Sequence, residues 1–475
     1  MSATGEELEP VGAIATWRAR LSQQFAKGGI AHTLARGAVW SVGINVGGYL
    51  LAFFVQMLLT HSLGRVQYGH YAYALALMNT ALLFGKLELD TCALRFVGMY
   101  DGAKQWSLLR GFLARMSRLV GVTSFSVAAV SALVVWASAR ALGVGTVSSL
   151  WAACALLPVT ALLDFRSRCV QAFKKVPESQ APSLLMRPMV FGIGVALATY
   201  VFGIRLSAAE AIALNLLGAL LAFLLCDHFL RATVPAEVAQ AAPEYETKKW
   251  LHTAVSLLVI AGAQLVLGTQ MDVVVVGSLL GATDAGLYQV ASQLASLITF
   301  GITAIIYIAL AMISDLHARG RKAELQQLVT VLSAANLAVS LVGVVVIVFM
   351  GRTVLGWFGP SFPAAYPVLL VLSSSSFVAA TVGILAGFLL TLTEHQRSAA
   401  TVVVVSALIN LTLSLVATRA FGAIGTASAT AATTLLRSGV LAVYCWKLLG
   451  IRVSPFGRML RPAGTNGEPP DGGST

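Results

Sequence analysis

Hydrophobic residues run through this chain in long blocks, not in the ten-residue alternation that marks the strands of a membrane barrel. Stretches nearly free of charge cover 38–60, 67–97, 118–139, 146–165, 184–204, 208–228, 250–280, 285–313, 325–350, 367–392, 398–418 and 422–446. Each approaches or exceeds the roughly 20 residues that a helix needs to cross a bilayer. The breaks at Gly64-Arg65, Gly203-Ile204-Arg205 and Gly422 are short and polar enough for hairpins between antiparallel helices. The pattern therefore predicts an all-α polytopic membrane protein with twelve transmembrane helices, spans 1 to 12 in chain order.

A repeat lies within that pattern. Gly64-x4-Gly69-x-Tyr71-x-x-Ala74-x-x-Leu77 returns as Gly281-x4-Gly286-x-Tyr288-x-x-Ala291-x-x-Leu294, at a constant offset of 217 residues and at the start of spans 2 and 8. Six spans per copy is an even number, so both copies enter the bilayer from the same side and form parallel repeats about an axis along the membrane normal. The expected architecture is two six-helix lobes around a central cavity. Residues 37–228 form the first lobe and 250–450 the second, joined by a linker over 229–249 that holds Pro235, Pro243, Glu237, Glu244 and Glu246. Residues 1–36 precede the lobes and 451–475, rich in Gly and Pro, read as a disordered tail.

Composition agrees with a bilayer. Charged residues make up 11% of the chain, against about 25% in soluble domains, which excludes an ordinary soluble enzyme. The net charge of +12 is distributed unevenly. The N-terminus, the even-numbered connections, the linker and the C-terminus together carry 24 Lys and Arg, while the opposite connections carry 5. By the positive-inside rule both termini, the 98–117 loop and the linker face the cytoplasm, in the inner membrane. No cleavable signal precedes span 1. Ile14, Trp17, Leu21 and Phe25 recur at helical spacing beside Arg18, Arg20 and Lys27, as in a helix lying on the membrane surface, although a disordered basic tail fits equally. The five cysteines are scattered, without metal-ligand spacing, and read as packing residues.

An ionised side chain at the bilayer centre costs about 2.5–3.5 kcal/mol on insertion scales, so charges inside spans are candidate functional residues. Six qualify: Lys86, Glu88, Asp90, Arg187, Asp272 and Arg437. On an unbroken span 2, Lys86 and Asp90 form one i,i+4 pair, and Glu88 and Arg95 share a second face. These charges line a cavity or lock two helices together. Asp272 has no Lys or Arg within a helical turn and must find its partner on another helix, in water or in a ligand; a cavity-facing or ion-coupling role and a cross-lobe packing contact both fit. Arg437 in the middle of span 12, and Arg187 just before Pro188 in span 5, present the fixed fork of donors that suits phosphate or carboxylate. Arg187 at this position also has the reach to snorkel to the interface. No catalytic, metal or cofactor motif is present: GxxxxGK[ST], HExxH, GxSxG and Cys/His clusters are all missing from the sequence.

The repeated segment resembles the polysaccharide-transporter branch of the multidrug/oligosaccharidyl-lipid/polysaccharide flippase superfamily, over about Arg36 to Gly450. The likeness is carried further by Asp90 to Arg95-Phe96, Asp272-x4-Gly277, Ala318-Arg319-Gly320, Gly359-x-x-Phe362-x-x-Ala365-x-x-x-Leu369, Asn410-x-x-Leu413 and Gly422-x-x-Gly425-x-Ala427-x-Ala429-Thr430. The resemblance implies two lobes that alternate between inward-open and outward-open states. The cargo it implies is a polyprenyl-diphosphate-linked oligosaccharide for surface or exopolysaccharide biosynthesis, carried to the outer leaflet. On this reading Arg437, Arg187, Arg95, Lys86 and Asn410 line the substrate cavity, where basic residues hold the diphosphate and acidic sugars. Asp272, Asp90 and Glu88 serve ion coupling, with H+ or Na+ as the ion, or cavity charge pairs. Lys86 and Glu88 occupy a turn that is usually small or apolar in the family, and Ala417-Thr418-Arg419 replace a stretch where a Pro commonly precedes the glycine turn. Two rivals remain: a cation-coupled drug exporter of the same superfamily, and a membrane glycosyltransferase or polymerase.

Overall fold

The computed structural model describes residues 29–393 and 396–454, so the expected surface helix around Ile14 to Phe25 and the tail beyond residue 454 lie outside the described residues. The described chain is almost wholly helical and contains no strand. Nine of its helical stretches are long and apolar enough, by length and composition, to cross a membrane. Two of these are bent in the middle by a left-handed glycine. Gly29–Lys86 turns at Gly64, with φ 68°, from span 1 into span 2, and Gln396–Tyr444 turns at Gly422, with φ 64°, from span 11 into span 12. Span 8 is the further helix Ala282–Ala318.

The remaining helices follow the hydrophobic blocks: Trp106–Ser138 (span 3), Val144–Ala172 (span 4), Val176–Val201 (span 5), Ala208–Thr233 (span 6), Lys322–Gly356 (span 9) and Phe362–Leu392 (span 10). Two expected helices are broken. Span 2 stops at Lys86 and resumes as Leu89–Gly102. Span 7 divides into Thr247–Val266 and Thr269–Leu279.

The duplication is visible in the backbone. Gly64 and Gly281 both take positive φ, 68° and 104°; so do Lys104 and Gly320, 54° and 68°, and Gly203 and Gly422, 65° and 64°. Three turns thus repeat with nearly the same spacing. The second glycines of the repeated motif, Gly69 and Gly286, lie against each other where spans 2 and 8 cross. A Cβ on Gly286 would stand 2.8 Å from the Gly69 Cα, and one on Gly69 would meet the Ala282 carbonyl and the Thr283 backbone. Equivalent residues in mutual contact are what a two-fold axis between the lobes requires, and only glycine lets two backbones approach this closely.

From that crossing the seam runs along span 2. Arg65 pairs with Asp284 at 3.6 Å, the Tyr73 hydroxyl meets Ser278 Oγ at 3.1 Å, and Asn79 Nδ2 donates to Gln270 Oε1 at 3.3 Å. Residues 65 to 79 advance about 20 Å along a helix. Aromatic contacts seal the same end: Phe53 with Phe358, centroids 5.4 Å apart, and Tyr68 with Phe362, 5.8 Å apart. One buried apolar core crosses this seam from the first lobe into Val273, Val276, Tyr288 and Leu294. A separate core, including Leu325, Val329, Leu385, Leu389 and Leu441, fills the linker end of the second lobe.

At that end the linker is strapped to the first lobe. Glu244 N–H donates to the Ser107 carbonyl at 3.0 Å, Arg110 donates to the Ala241 carbonyl at 2.6 Å, and the Arg115 guanidinium lies over the Tyr245 ring at 5.5 Å. Trp250, the start of span 7, is fully buried. Its ring is edge-on to Phe112 at 5.1 Å, and its Nε1 donates to the Tyr100 hydroxyl at 2.9 Å.

Overpacking the crossing tests the seam. A cysteine pair replacing Arg65 and Asp284, whose charged ends stand 3.6 Å apart, is expected to be bridged by a short bis-maleimide reagent, and adding Gly286→Val to cut the yield severalfold, because the Cβ strikes backbone where no side-chain rotation relieves it. Undiminished cross-linking in the Val background would show that the lobes do not close on this glycine pair.

Candidate functional site

Three polar centres lie within the helical bundle. The first is a cavity of about 330 Å³ between spans 1, 2, 5 and 6 of the first lobe, lined by Tyr49, Gln56, Tyr71, Ser183, Arg187 and Asn215 among apolar residues. Arg187 follows a π-helical turn over Pro182–Met186, a local widening that re-aims the residues after it. Its Nε donates to Asn215 Oδ1 at 3.0 Å. Gly218 makes this reach possible: a Cβ there would stand 2.8 Å from the Arg187 carbonyl, so spans 5 and 6 need a residue without a side chain at that level. Arg187 is turned toward span 6 of its own lobe. Tyr71 and Asp164 are within electrostatic reach of its guanidinium.

The second centre surrounds Lys86. Its Nζ lies 2.8 Å from Asp90 Oδ2 and 3.7 Å from Asp164 Oδ2. The Lys86–Asp90 pair expected on a straight helix forms, but across a break. Leu87 and Glu88 take left-handed φ values of 51° and 56°, which cost about 1–2 kcal/mol each in non-glycine residues. Glu88 accepts a hydrogen bond from Thr91 Oγ1 at 2.7 Å. The break rotates Glu88 away from Arg95, and the second expected pair is not formed: Arg95 is exposed, with its guanidinium 5.8 Å from the Phe96 ring centroid. Asp164 is the residue that sequence reasoning missed, because it stands at the limit of the apolar block 146–165, while the helix continues to Ala172.

The third centre lies in the second lobe. Asp272 is 3% exposed, and its Oδ2 accepts from the Tyr288 hydroxyl and from Thr430 Oγ1, each at 2.9 Å. Its partners come from spans 8 and 12, as hydroxyls in place of a cation. Nearby, Asn410 Nδ2 donates to the Val266 carbonyl at 3.3 Å, which the break in span 7 leaves free. Asn410 Oδ1, Ser414 Oγ and Thr433 Oγ1 are buried and unpartnered. Arg437 makes no hydrogen bond or ion pair among the described residues and lies outside the 330 Å³ cavity. The five cysteines are free, as expected.

The repeated tyrosines tie two of these centres to the duplication. Tyr71 lines the same cavity as Arg187 and Asn215, and Tyr288 binds Asp272 beside Thr430. Equivalent tyrosines thus serve a cationic centre in one lobe and an anionic one in the other.

A family model described as polysaccharide biosynthesis protein matches residues 34–317. No curated protein matches the chain significantly. Among solved structures, an inward-facing multidrug resistance MATE family transporter of the MOP superfamily is similar at TM-score 0.69 and 12% identity, over 89% of this chain and 97% of that one. The lipid II flippase MurJ, in an inward closed conformation, is similar at TM-score 0.65 and 15% identity, over 85% and 87%. A MOP superfamily transporter from Pyrococcus furiosus, with a binding pocket of reversed polarity, is similar at TM-score 0.57 and 11% identity, over 90% and 95%. At these identities the structures speak for the fold.

The Lys86 centre yields a double-mutant test. Lys86→Met alone leaves Asp90 and Asp164 without their cation and is expected to destabilise the protein by about 3 kcal/mol, the lower part of the range for breaking a buried pair. Adding Asp90→Asn should restore roughly half of that, read as thermal unfolding in lipid nanodiscs. Additive losses from the two substitutions would show that the three charges are not coupled.

Proposed function

The chain belongs to the polysaccharide biosynthesis protein family, and on that premise we propose that it is a flippase carrying a polyprenyl-diphosphate-linked oligosaccharide from the cytoplasmic to the outer leaflet of the inner membrane. The 24 to 5 bias of Lys and Arg supports placing the linker and both termini in the cytoplasm. In that orientation the Gly69–Gly286 crossing closes the outer end of the bundle. The first lobe, 37–228, and the second, 250–450, then rock about this crossing to expose the cargo to either side.

The observation that carries the reading, beside the family, is the polarity of the first-lobe cavity: Arg187 is the only charged residue among the described residues that line it. A fixed guanidinium amid hydroxyls and amides suits the anionic, hydroxyl-rich headgroup of a glycolipid and repels the cationic compounds that a drug exporter would take. Arg437 at mid-depth and Arg95 toward the cytoplasmic mouth continue the cationic path, while Lys86 faces it with its charge balanced by Asp90 and Asp164. Asp272, with the Tyr288 and Thr430 hydroxyls on it, is the proposed coupling site for H+ or Na+, since a lone buried carboxylate among hydroxyls gains most from a small cation. Asp90 and Glu88 hold the bend in span 2.

Deletion of the gene tests the reading. Lipid-linked oligosaccharide is expected to accumulate in the cytoplasmic leaflet with loss of surface polymer; unchanged polymer together with sensitivity to cationic dyes would indicate the exporter. In the complemented strain, Asp272→Asn should lower polymer export at least tenfold at normal protein abundance. Full export by that variant would remove Asp272 from coupling.

A further inference from the structure

The first-lobe cavity discriminates among the anionic groups of such a cargo. We infer that it is a subsite for one acidic sugar, a hexuronate whose carboxylate docks on Arg187, and that it does not hold the diphosphate. This rests on the flippase reading for the source of the sugar.

Charge count is the first reason. Arg187 is the sole ionisable cation among the described residues that line it. A diphosphate brings two or more negative charges into a site of low dielectric, where each needs its own counter-charge. A carboxylate brings one, which a single guanidinium matches. Geometry is the second reason. The Nε of Arg187 is held by Asn215 Oδ1 at 3.0 Å, while its two terminal nitrogens make no hydrogen bond or ion pair among the described residues. That leaves a fork of fixed orientation facing the cavity, the arrangement that binds a planar carboxylate through two parallel hydrogen bonds.

The rest of the wall suits a sugar ring. Tyr71 and Phe191 are stacked, 6.1 Å between centroids and 9° between planes, and offer a flat apolar surface. Tyr49, exposed at the entrance, and Ser183 supply hydroxyls. The volume of about 330 Å³ is at the small end of the range for ligand sites, which begins near ~300 Å³, so the site admits a single residue of the glycan and not a whole repeat unit. A fatty acid shares the carboxylate but has no hydroxyls to set against the polar part of this wall.

Saturation-transfer NMR on the full-length protein in lipid nanodiscs tests the subsite with four probes: D-glucuronate, D-glucose, inorganic pyrophosphate and octanoate. Glucuronate is expected to show ring-proton contacts that glucose lacks, and neither pyrophosphate nor octanoate at the same concentration should displace it. Arg187→Gln should weaken glucuronate binding roughly tenfold, the loss of one charge-assisted pair, and Arg187→Lys should recover only part. Displacement by pyrophosphate or octanoate in the unaltered protein, or equal contacts from glucose, overturns the inference without recourse to any variant. The flippase reading stands or falls separately. A deletion strain that accumulates lipid-linked oligosaccharide while the protein ignores glucuronate loses only the subsite; glucuronate binding lost in Arg187→Gln, in a strain with unchanged surface polymer, loses only the flippase.

Discussion

The contact between Gly69 and Gly286 is the constraint on which the architecture rests. Two helices of the same rank in two copies of one motif touch backbone to backbone, and that contact fixes the position of the axis relating the lobes. Everything along the seam follows from it: Tyr73 reaches Ser278, Asn79 reaches Gln270, and the Phe53, Tyr68, Phe358 and Phe362 rings close the same end. In a bilayer no hydrophobic drive brings helices together, because lipid is as apolar as a leucine surface, so close backbone approach and interhelical hydrogen bonds supply the association. The seam uses both within about 20 Å of span 2.

The bilayer also explains how the charges are arranged. Each embedded charge considered has a partner or a cavity, in keeping with the cost of leaving it in hydrocarbon, except for Arg437, which has no protein partner among the described residues. After duplication the two lobes kept the tyrosine that points into their polar centres and diverged in what it meets. Arg187 with Asn215 in one lobe, and Asp272 with Thr430 in the other, are a pair of sites with one ancestry and opposite sign. The proposed carriage of an anionic headgroup coupled to a small cation would use both.

The helical blocks and the repeat were legible in the sequence because hydrophobic length and spaced glycines respond directly to the membrane and to tight turns. The breaks were not. At Leu87 and Glu88 neither glycine nor proline marks the change, and the left-handed backbone is held by interactions of Lys86, Asp90 and Thr91 that only the fold brings together. That one break explains why the Glu88 and Arg95 faces failed to pair. Asp164 was passed over because a helix that outlasts its apolar block carries charge inward from what looks like a terminus. The direction of Arg187 depends on the π-helical turn before it and on Gly218 across from it, a relation between two helices that no single stretch of sequence encodes.

The burial of Trp250 in the first lobe has a consequence for synthesis. The boundary in sequence, at the linker, is not the boundary in space, since the first residues of span 7 complete the packing around Phe112 and Tyr100. A ribosome that has finished span 6 has therefore made a half-protein with an unfilled aromatic slot at its linker end. The nascent lobe reaches its final packing only when the opening turn of its sister is already inserted, so the second copy begins to fold on a template that its own first tryptophan has just finished building.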